Sequence, residues 1–468
     1  MKLDQNRAPL WEAVRQHQSC QSYPFHVPGH KGGRGLPSEF RTILPQLDLT
    51  EVTGLDNLLS PQGVIAEAEV LAAEWVGAKT THFTTNGSSA ALIAAVLACC
   101  PRGSRIALPQ NAHLSLFYAC VLGDINPCFI SVEFDKQLGI PLGPTPEELR
   151  RLLATECVAL VTVVHPTYHG VCVDIAALAA VCREFGVPLL VDEAHGTHLL
   201  LAEEPPFSAV RQGADIVVQS VHKTGLALTG AAWVHCLTEK WSARVKDSLR
   251  LMQSTSPSYL LLTSLDLARA RMAEGGSKLY HEAIEVAKVA RDLWPCYSPP
   301  HPYRQDPLRL VIDATRFGLS GYALARHFAA RNAVPEMAEP MALTLVFGLY
   351  DREEALLNLR GVLPGLTAIC EAGTLRPEPL PWPHCPQVVS PREAYWQHKV
   401  EVPLLQARGR IAGDSIVPYP PGIPIIWPGQ VITGDCVEYL LALRVEHQDT
   451  DKCSMVEKVR VLASDEDV

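Results

Sequence analysis

The sequence has little of what marks membrane-spanning, secreted or nucleic-acid-binding proteins. It contains no stretch of about 18 uncharged apolar residues, the length that crosses a bilayer. Its N-terminus has no apolar signal-peptide core. The net charge is -10, which argues against nucleic acid as a partner and is compatible with a cationic small substrate.

Metal-binding and disulfide motifs are missing as well. None of the 14 cysteines forms a Cys-x-x-Cys pair, and most lie in apolar runs. We therefore expect buried free thiols, no metal site and a reducing cytoplasm. With 468 residues, of which 19% are charged, the chain can bury a large core and should form two or three structural units.

What the sequence does contain is a regular alternation of strands and helices between residues 104 and 220. The predicted strands are 105–108, 127–132, 158–164, 188–191 and 214–218, and the predicted helices are 113–122, 147–154 and 175–185. Strands that are apolar throughout are typical of a mostly parallel sheet with helices on both faces. Ligands of such sheets bind beyond the carboxyl ends of the strands.

Polar residues follow four of these strands and predict one shared crevice. They are Asn111, His113, His165, Thr167, Tyr168, Asp192, His195, Ser220, His222 and Lys223.

Two of these residues indicate pyridoxal phosphate chemistry. Lys223 stands at a strand end beside His222, where burial and a second cation can lower the pKa of its amine and make it a nucleophile. Asp192 ends the preceding strand and would keep the pyridine nitrogen protonated, so that the ring acts as an electron sink. Taken singly, the lysine fits a solvated loop and the aspartate fits a helix cap. Their occurrence at neighbouring strand ends favours the cofactor.

The segment Asn86-Gly-Ser-Ser lies between a short strand at 81–85 and a helix at 90–100. The first N–H groups of a helix and its dipole attract phosphate, and Ser88 and Ser89 would add hydroxyl groups. The alternative is that these serines only cap the helix.

A basic loop at residues 23–35 carries three residues that are candidates for contact with an anionic group. These are His26, His30 and Lys31, and the alternative is a turn-rich connector.

Proline-rich stretches indicate the domain boundaries. We predict an N-terminal arm and loop at 1–50, a large pyridoxal-phosphate-binding domain at 51–290, a small α/β domain at 291–375 and a C-terminal domain at 376–468. An amphipathic helix is expected within residues 1–20 and another helix at 260–272, whereas the prolines of 418–424 exclude a helix there.

Six motifs, in this order, carry a family resemblance. They are Phe25-His-Val-Pro-Gly-His-Lys-Gly-Gly, Gly54-Leu-Asp-Asn-Leu, Asn86-Gly-Ser-Ser, Asp192-Glu-Ala-His-Gly, Ser220-Val-His-Lys and Pro418-Tyr-Pro-Pro-Gly-Ile-Pro. The chain resembles the short form of the Orn/Lys/Arg decarboxylase family of pyridoxal-phosphate enzymes. The resemblance implies an aspartate-aminotransferase-like core of fold type I with smaller C-terminal α/β domains. It also implies a homodimer or larger assembly with active sites at the subunit interface.

The resemblance also implies roles for individual residues. Lys223 matches the Schiff-base lysine, His222 the histidine before it, and Asp192 the partner of the pyridine nitrogen. The other cofactor-binding residues are Ser88, Ser89 and Ser220 at the phosphate, His113 and Ala194 on the two faces of the ring, and His195. The stretch Thr255-Ser-Pro-Ser resembles a segment that reaches a neighbouring subunit's cofactor. The sequence departs from the family pattern at Leu114, His165 and Val221, of which His165 is expected to alter the surroundings of the ring.

The predicted reaction is the α-decarboxylation of a basic L-amino acid, with lysine and arginine ahead of ornithine. His222 or Lys223 would protonate the product carbon, and a carboxylate would pair with the distal cation of the substrate. The candidates for that carboxylate are Asp56, Glu193 and Asp414. Two alternatives stay open: an aminotransferase or lyase on the same fold, and a non-catalytic regulatory paralogue.

Overall fold

A computed structural model describes residues 19, 22–366, 382–417, 423–446 and 457–464. The predicted N-terminal helix and most of the proline-rich segment at 418–424 lie outside these residues. Within the described residues, no helix is long and apolar enough to cross a membrane.

The strands are short and mostly buried. They are β1 (Tyr23–Phe25), β2 (Thr80–Thr84), β3 (Arg105–Pro109), β4 (Asn126–Ile130), β5 (Glu133–Phe134), β6 (Pro141–Gly143), β7 (Leu160–Val164), β8 (Val171–Cys172), β9 (Leu189–Asp192), β10 (Ile216–Ser220), β11 (Ala232–Cys236), β12 (Arg304–Gln305), β13 (Arg309–Asp313), β14 (Ala333–Pro335), β15 (Met337–Ala338), β16 (Ala342–Val346), β17 (Lys399–Pro403) and β18 (Lys458–Leu462).

The helices alternate with the strands of the large sheet. They are α1 (Ser38–Thr42), α2 (Val64–Val76), α3 (Gly87–Cys99), α4 (Leu114–Gly123), α5 (Pro146–Thr155), α6 (Ile175–Glu184), α7 (Val221–Thr224), α8 (Glu239–Met252), α9 (Tyr259–Leu293), α10 (Gly321–Ala329), α11 (Glu353–Val362), α12 (Pro391–Trp396) and α13 (Gly434–Glu446). Short 3-10 helices span Leu44–Leu47, Thr197–Leu201, Ala209–Arg211, Ala314–Phe317 and Leu404–Ala407.

A seven-stranded sheet, in the order β2-β11-β10-β9-β7-β3-β4, forms the centre of the molecule. The pairs from β10 to β4 are parallel, and β11 runs antiparallel to both of its neighbours. Helices α3, α4 and α8 contribute to the hydrophobic cluster on one face, and α6 and α9 to the cluster on the other. The predicted mostly parallel sheet with helices on both faces is therefore confirmed.

Helix α9 is much longer than predicted, because the expected helix at 260–272 continues to Leu293 and spans 35 residues. The sequence Gly275-Gly276 follows the predicted end and favours a break. The helix nevertheless continues through this pair. A side chain on Gly276 would collide with Leu201, whose Cδ2 lies 2.5 Å from the position of a Cβ. The glycine therefore permits close packing of the helix rather than ending it.

Two smaller units follow the large sheet. Strands β13, β16 and β15 form an antiparallel sheet whose core is continuous with that of the large sheet. Strands β17 and β18 pair with each other, and residues 385–461 contribute a separate hydrophobic cluster. The domain bounds given above stay a prediction.

The basic loop attaches the N-terminal segment to the β13–β16 unit. Lys31 is buried, and its Nζ donates to the carbonyl oxygens of Pro24 (2.8 Å), His26 (3.1 Å) and Val346 (2.8 Å). The same Nζ lies 3.4 Å from Oδ2 of Asp351. The anionic group that Lys31 reaches thus belongs to the protein itself.

Candidate active site

A cavity of about 570 Å³ opens at the carboxyl ends of the central strands. Its wall is formed by strand ends, by the beginning of α3 and by a segment after β14. The lining residues with polar side chains are Ser88, Ser89, Asn111, His113, Ser115, Tyr118, Tyr168, Asp192, His195, Ser220, His222, Lys223 and Glu336. Except for His165 and Thr167, the fold therefore brings together the residues predicted to share one crevice, as the parallel topology leads one to expect.

Lys223 lies on the short helix α7, directly after β10. Its Nζ is 3.0 Å from Nε2 of His195. Burial lowers the pKa of Lys223, and the carboxylates of Asp192 and Glu336 oppose this effect. A lysine whose neutral amine is favoured in this way is suited to attack an aldehyde.

Asp192 ends β9 and is buried, with 4% of its surface exposed. Its Oδ1 accepts a hydrogen bond from the backbone N–H of Ala194 at 3.1 Å, and this bond orients the carboxylate. Asp192 and Lys223 therefore stand at the ends of adjacent parallel strands and face one cavity.

The beginning of α3 has the properties of an anion site. Asn86 precedes the helix and makes no side-chain capping bond, so its own side chain does not occupy the first helical N–H groups. Ser220 Oγ donates to Ser88 Oγ at 2.6 Å, which joins the end of β10 to this turn. Gly87, Ser88 and Ser89 all line the cavity. The N–H of Gly87 donates to the carbonyl oxygen of Gly230, and a phosphate in this position would meet the following N–H groups, the hydroxyl groups and the positive end of the helix dipole.

Two histidines on the cavity wall are held in fixed orientations. His113 caps α4, because its Nδ1 accepts from the backbone N–H of Ser115 at 3.2 Å. His222 Nδ1 lies 3.3 Å from the carbonyl oxygen of Ala231 and therefore donates to it. Burial lowers the pKa of His222 to about 4, so this imidazole is neutral at physiological pH.

Comparison with known proteins agrees with this geometry. The major domain of the family described as Orn/Lys/Arg decarboxylase matches residues 8–296, and its C-terminal domain matches residues 384–450. The chain belongs to the Orn/Lys/Arg decarboxylase family. The predicted family is therefore confirmed, and the chain is an amino-acid decarboxylase by descent.

The relatives of this decarboxylase include enzymes with different named substrates. The arginine decarboxylase of Bacillus subtilis is 34% identical over 462 residues, which is 94% of this chain and 94% of the relative. The arginine decarboxylase of Bacillus anthracis is 32% identical over 94% of this chain and 93% of its own length. The constitutive lysine decarboxylase of Escherichia coli is 23% identical and covers 94% of this chain and 78% of its own length.

Solved structures show the same fold. The lysine decarboxylase of Francisella novicida superposes with a TM-score of 0.76 at 19% identity, covering 93% of this chain and 78% of its own. An alanine–glyoxylate aminotransferase from Nostoc superposes with a TM-score of 0.55 at 17% identity, covering 79% and 97% of the two chains. The predicted fold class of the decarboxylase is confirmed.

The three carboxylates proposed for the distal cation lie away from the cavity of their own chain. Glu193 is buried and accepts hydrogen bonds from Ser208 Oγ (2.7 Å), the N–H of Ala209 (2.7 Å) and Gln219 Nε2 (2.5 Å). Asp56 accepts bonds from backbone N–H groups of residues 57–66. Asp414 pairs with Lys399 at 2.7 Å and with Arg460 at 2.9 Å. Each carboxylate thus has a structural function within the described residues.

His165 also differs from the prediction, because it does not line the cavity. It is buried, and its Nε2 lies 3.0 Å from the carbonyl oxygen of Phe207. The residues on either side of it, Val164 and Pro166, face the cavity instead. Burial lowers the pKa of His165 to about 4.

Sequence reasoning missed a carboxylate that does line the cavity. Glu336 lies between β14 and β15, and its Oε1 accepts from the hydroxyl group of Tyr168 at 2.5 Å. Its Oε2 accepts from the backbone N–H of Val27 at 2.8 Å. No sequence pattern near Glu336 predicts that it lines the cavity. Only the docking of the β13–β16 unit brings Glu336 to the ends of the central strands.

Proposed function

We propose that this decarboxylase uses pyridoxal phosphate to remove the α-carboxylate of L-arginine, with agmatine and CO2 as products. The observation that carries the proposal is that Lys223 and Asp192 face one cavity beside an uncapped helix beginning. The choice of arginine is supported by the arginine decarboxylases that are 32–34% identical to this chain over nearly its whole length.

The residues of the cavity fit the cofactor. Lys223 would bind its aldehyde covalently, and Asp192 would pair with its ring nitrogen. The beginning of α3 would hold the phosphate. The remaining contacts in this proposal are Ser88, Ser89 and Ser220 at the phosphate, His113 and Ala194 on the ring faces, and His195 and His222 near Lys223. When bound, pyridoxal phosphate supplies an electron sink for the pair of electrons released when CO2 departs.

The protein itself orients the substrate and moves one proton. Lys223 is the better candidate for the group that protonates the product carbon, because its Nζ lies in the cavity. His222 is neutral, and its Nδ1 proton is engaged by Ala231. Apolar side chains such as Leu92, Val164 and Ile423 line the same cavity, and a surrounding of this kind favours loss of a charged carboxylate.

Glu336 is our candidate for the carboxylate that binds the guanidinium group of the substrate. Among the described residues that line the cavity, only Asp192 and Glu336 carry carboxylates, and Asp192 is assigned to the cofactor. Each oxygen of Glu336 accepts one hydrogen bond, whereas a carboxylate has about four lone-pair sites. Room therefore remains for a guanidinium, which prefers paired contacts with a carboxylate.

The decisive assay offers arginine, lysine and ornithine to the purified protein with pyridoxal phosphate and measures CO2 and amine. We expect CO2 and agmatine from arginine, and none from the Lys223→Ala variant. A keto acid in place of CO2 would identify an aminotransferase. Absence of both products would favour the regulatory paralogue. Cadaverine or putrescine as the main product would show that lysine or ornithine, rather than arginine, is the substrate.

We further propose a cytoplasmic homodimer. The stretch Thr255–Ser258 does not line the cavity of its own chain, and Thr255 and Ser256 are exposed, which is compatible with contact to a neighbouring subunit. Light scattering on the protein as it elutes from a size-exclusion column should give twice the mass of one chain. A monomer at assay concentrations would contradict the shared site.

A further inference from the structure

His195 lies between the reactive lysine and a buried arginine. Its Nε2 is 3.0 Å from Nζ of Lys223, and its Nδ1 is 3.1 Å from Nη2 of Arg309. Arg309 begins β13 and has 1% of its surface exposed, and His195 has 6% exposed. Arg309 does not line the cavity, so it would not contact a bound ligand directly.

The hydrogen-bonding capacities of these three groups allow one arrangement of protons. A guanidinium only donates, so Nδ1 of His195 must accept and cannot carry a proton. A neutral imidazole has a single N–H, which is therefore on Nε2. That N–H points at Lys223, and an amine can accept it only when the lysine is neutral. An imidazolium is excluded because its Nδ1–H would face the N–H of Arg309.

The fold maintains Arg309 in this position. Within the described residues, its Nε and Nη1 have no hydrogen-bond partner, and its Nη2 contacts His195. Gly170, at a φ of +81°, makes room for the side chain, because a Cβ there would lie 2.5 Å from Cβ of Arg309. The buried carboxylate of Asp306 is a charged neighbour, since His198 and Arg309 lower its pKa against the effect of burial. Two guanidinium nitrogens without hydrogen bonds are costly in a buried side chain, and this cost points to a function.

We propose that Arg309 is a positioning residue that fixes the Nε2–H tautomer of His195, so that His195 donates to Lys223 and holds it as the neutral amine that attacks the cofactor. The inference rests on the proposed cofactor, and Arg309 would act through His195 rather than on the substrate.

The charges around these groups give the sign of the effect. Burial lowers the pKa of His195 well below its usual value, and Lys223, Arg309, His222 and His113 act in the same direction. Arg309 also lowers the pKa of Lys223, whereas Asp192 and Glu336 raise it. Removing Arg309 must therefore raise the pKa of Lys223 and reduce its neutral fraction at a given pH.

The test follows covalent uptake of pyridoxal phosphate by the full-length, cofactor-stripped protein. The change in absorbance of pyridoxal phosphate gives the rate of covalent uptake at each pH. Borohydride trapping with mass spectrometry identifies the modified lysine. We expect Arg309→Met to shift the pH dependence of the uptake rate to higher pH by about one unit, so that uptake below the midpoint is about tenfold slower. Arg309→Lys retains a cationic donor and should stay close to the parent protein. An unchanged profile in Arg309→Met would overturn the proposal.

A double-mutant cycle separates action through His195 from direct action of the charge. If Arg309 acts through the imidazole, Arg309→Met should shift the profile far less in a His195→Phe background. A full shift in that background would refute the assignment. Neutron diffraction on the unsubstituted, cofactor-free protein gives an answer that does not depend on folding of the variants. We expect deuterium on Nε2 of His195, and deuterium on Nδ1 would refute the tautomer.

These outcomes are distinguishable from failure of the proposed function. If pyridoxal phosphate does not react with Lys223 in the parent protein, the cofactor proposal fails. If it reacts and the profiles of the parent and Arg309→Met coincide, only the inference about Arg309 fails.

Discussion

Replacing Glu336 by glutamine tests which residue binds the distal cation of the substrate. The change removes one charge and keeps the shape of the side chain. An amide can still serve both neighbours, since its oxygen can accept from the N–H of Val27 and its nitrogen can donate to the hydroxyl oxygen of Tyr168. Loss of activity in Glu336→Gln would then report the missing charge rather than a collapsed cavity.

The magnitude follows from the contact that the substrate would lose. A hydrogen bond to a charged group contributes about 1.5–3 kcal/mol. Because about 1.4 kcal/mol corresponds to a factor of ten in rate, kcat/KM for arginine should fall by about 10- to 150-fold. The effect should appear mainly in KM, since the distal group is bound equally in the ground state and the transition state.

The assay compares arginine with citrulline, which has the same length but an uncharged end. Glu336→Gln should lower kcat/KM for arginine and leave that for citrulline unchanged or higher. Glu339→Gln is the matched control, because Glu339 contacts His169 at 2.5 Å and does not line the cavity. Equal kcat/KM for arginine in the parent and in Glu336→Gln would show that another group, such as one from a second subunit, binds the guanidinium.

Three further substitutions have defined outcomes. Asp192→Asn should retain the cofactor but lower kcat on the order of 10²–10³-fold, because a charge that stabilises the transition state is lost; unchanged steady-state kinetics would remove Asp192 from the mechanism. Lys31→Met should lower the free energy of unfolding by about 3–5 kcal/mol, because Asp351 would be left as an uncompensated buried charge; denaturant unfolding measures this, and the parent value would contradict the ion-pair assignment. His165 has a pKa lowered to about 4 from an ordinary value of 6.5, so the unfolded chain binds more protons between these pH values and stability falls on acidification. His165→Asn should make the unfolding free energy fall less steeply from pH 6.5 to pH 4, and an equal slope in both proteins would show that His165 is not its source.

The parts of the site that could be predicted from sequence are those that follow a local rule. Lys223 and Asp192 come directly after buried strands, and parallel strands place such residues at one edge of a sheet. Ser88 and Ser89 lie between a strand and a helix, where the anion-binding geometry is local as well. These positions need no knowledge of how distant segments pack.

The parts that could not be predicted depend on docking between distant segments. Arg309 and Glu336 reach the cavity region from beyond the predicted boundary of the large domain, and nothing adjacent to them in sequence differs from an ordinary strand end. The sequence could not predict that Lys31 is bound within the protein, because its partners include the carbonyl oxygen of Val346, more than 300 residues later. The sequence near a lysine does not predict that the lysine is buried among backbone carbonyl groups.

The two unexpected groups share one structural support. Arg309 begins β13, and Glu336 directly precedes β15. Both strands pair with β16, where Thr344 lies opposite Val311 on one side and Met337 on the other. The pairing makes the position of one group depend on that of the other. In this proposal the large domain supplies the cofactor site, and a single small sheet fixes both the protonation state of Lys223 and the carboxylate for the substrate. A shift of that sheet would therefore change amine reactivity and substrate affinity together. Removing the charge of Glu336 alone should lower the affinity for the substrate and, because the Glu336 carboxylate raises the pKa of Lys223, should increase the neutral fraction of that amine.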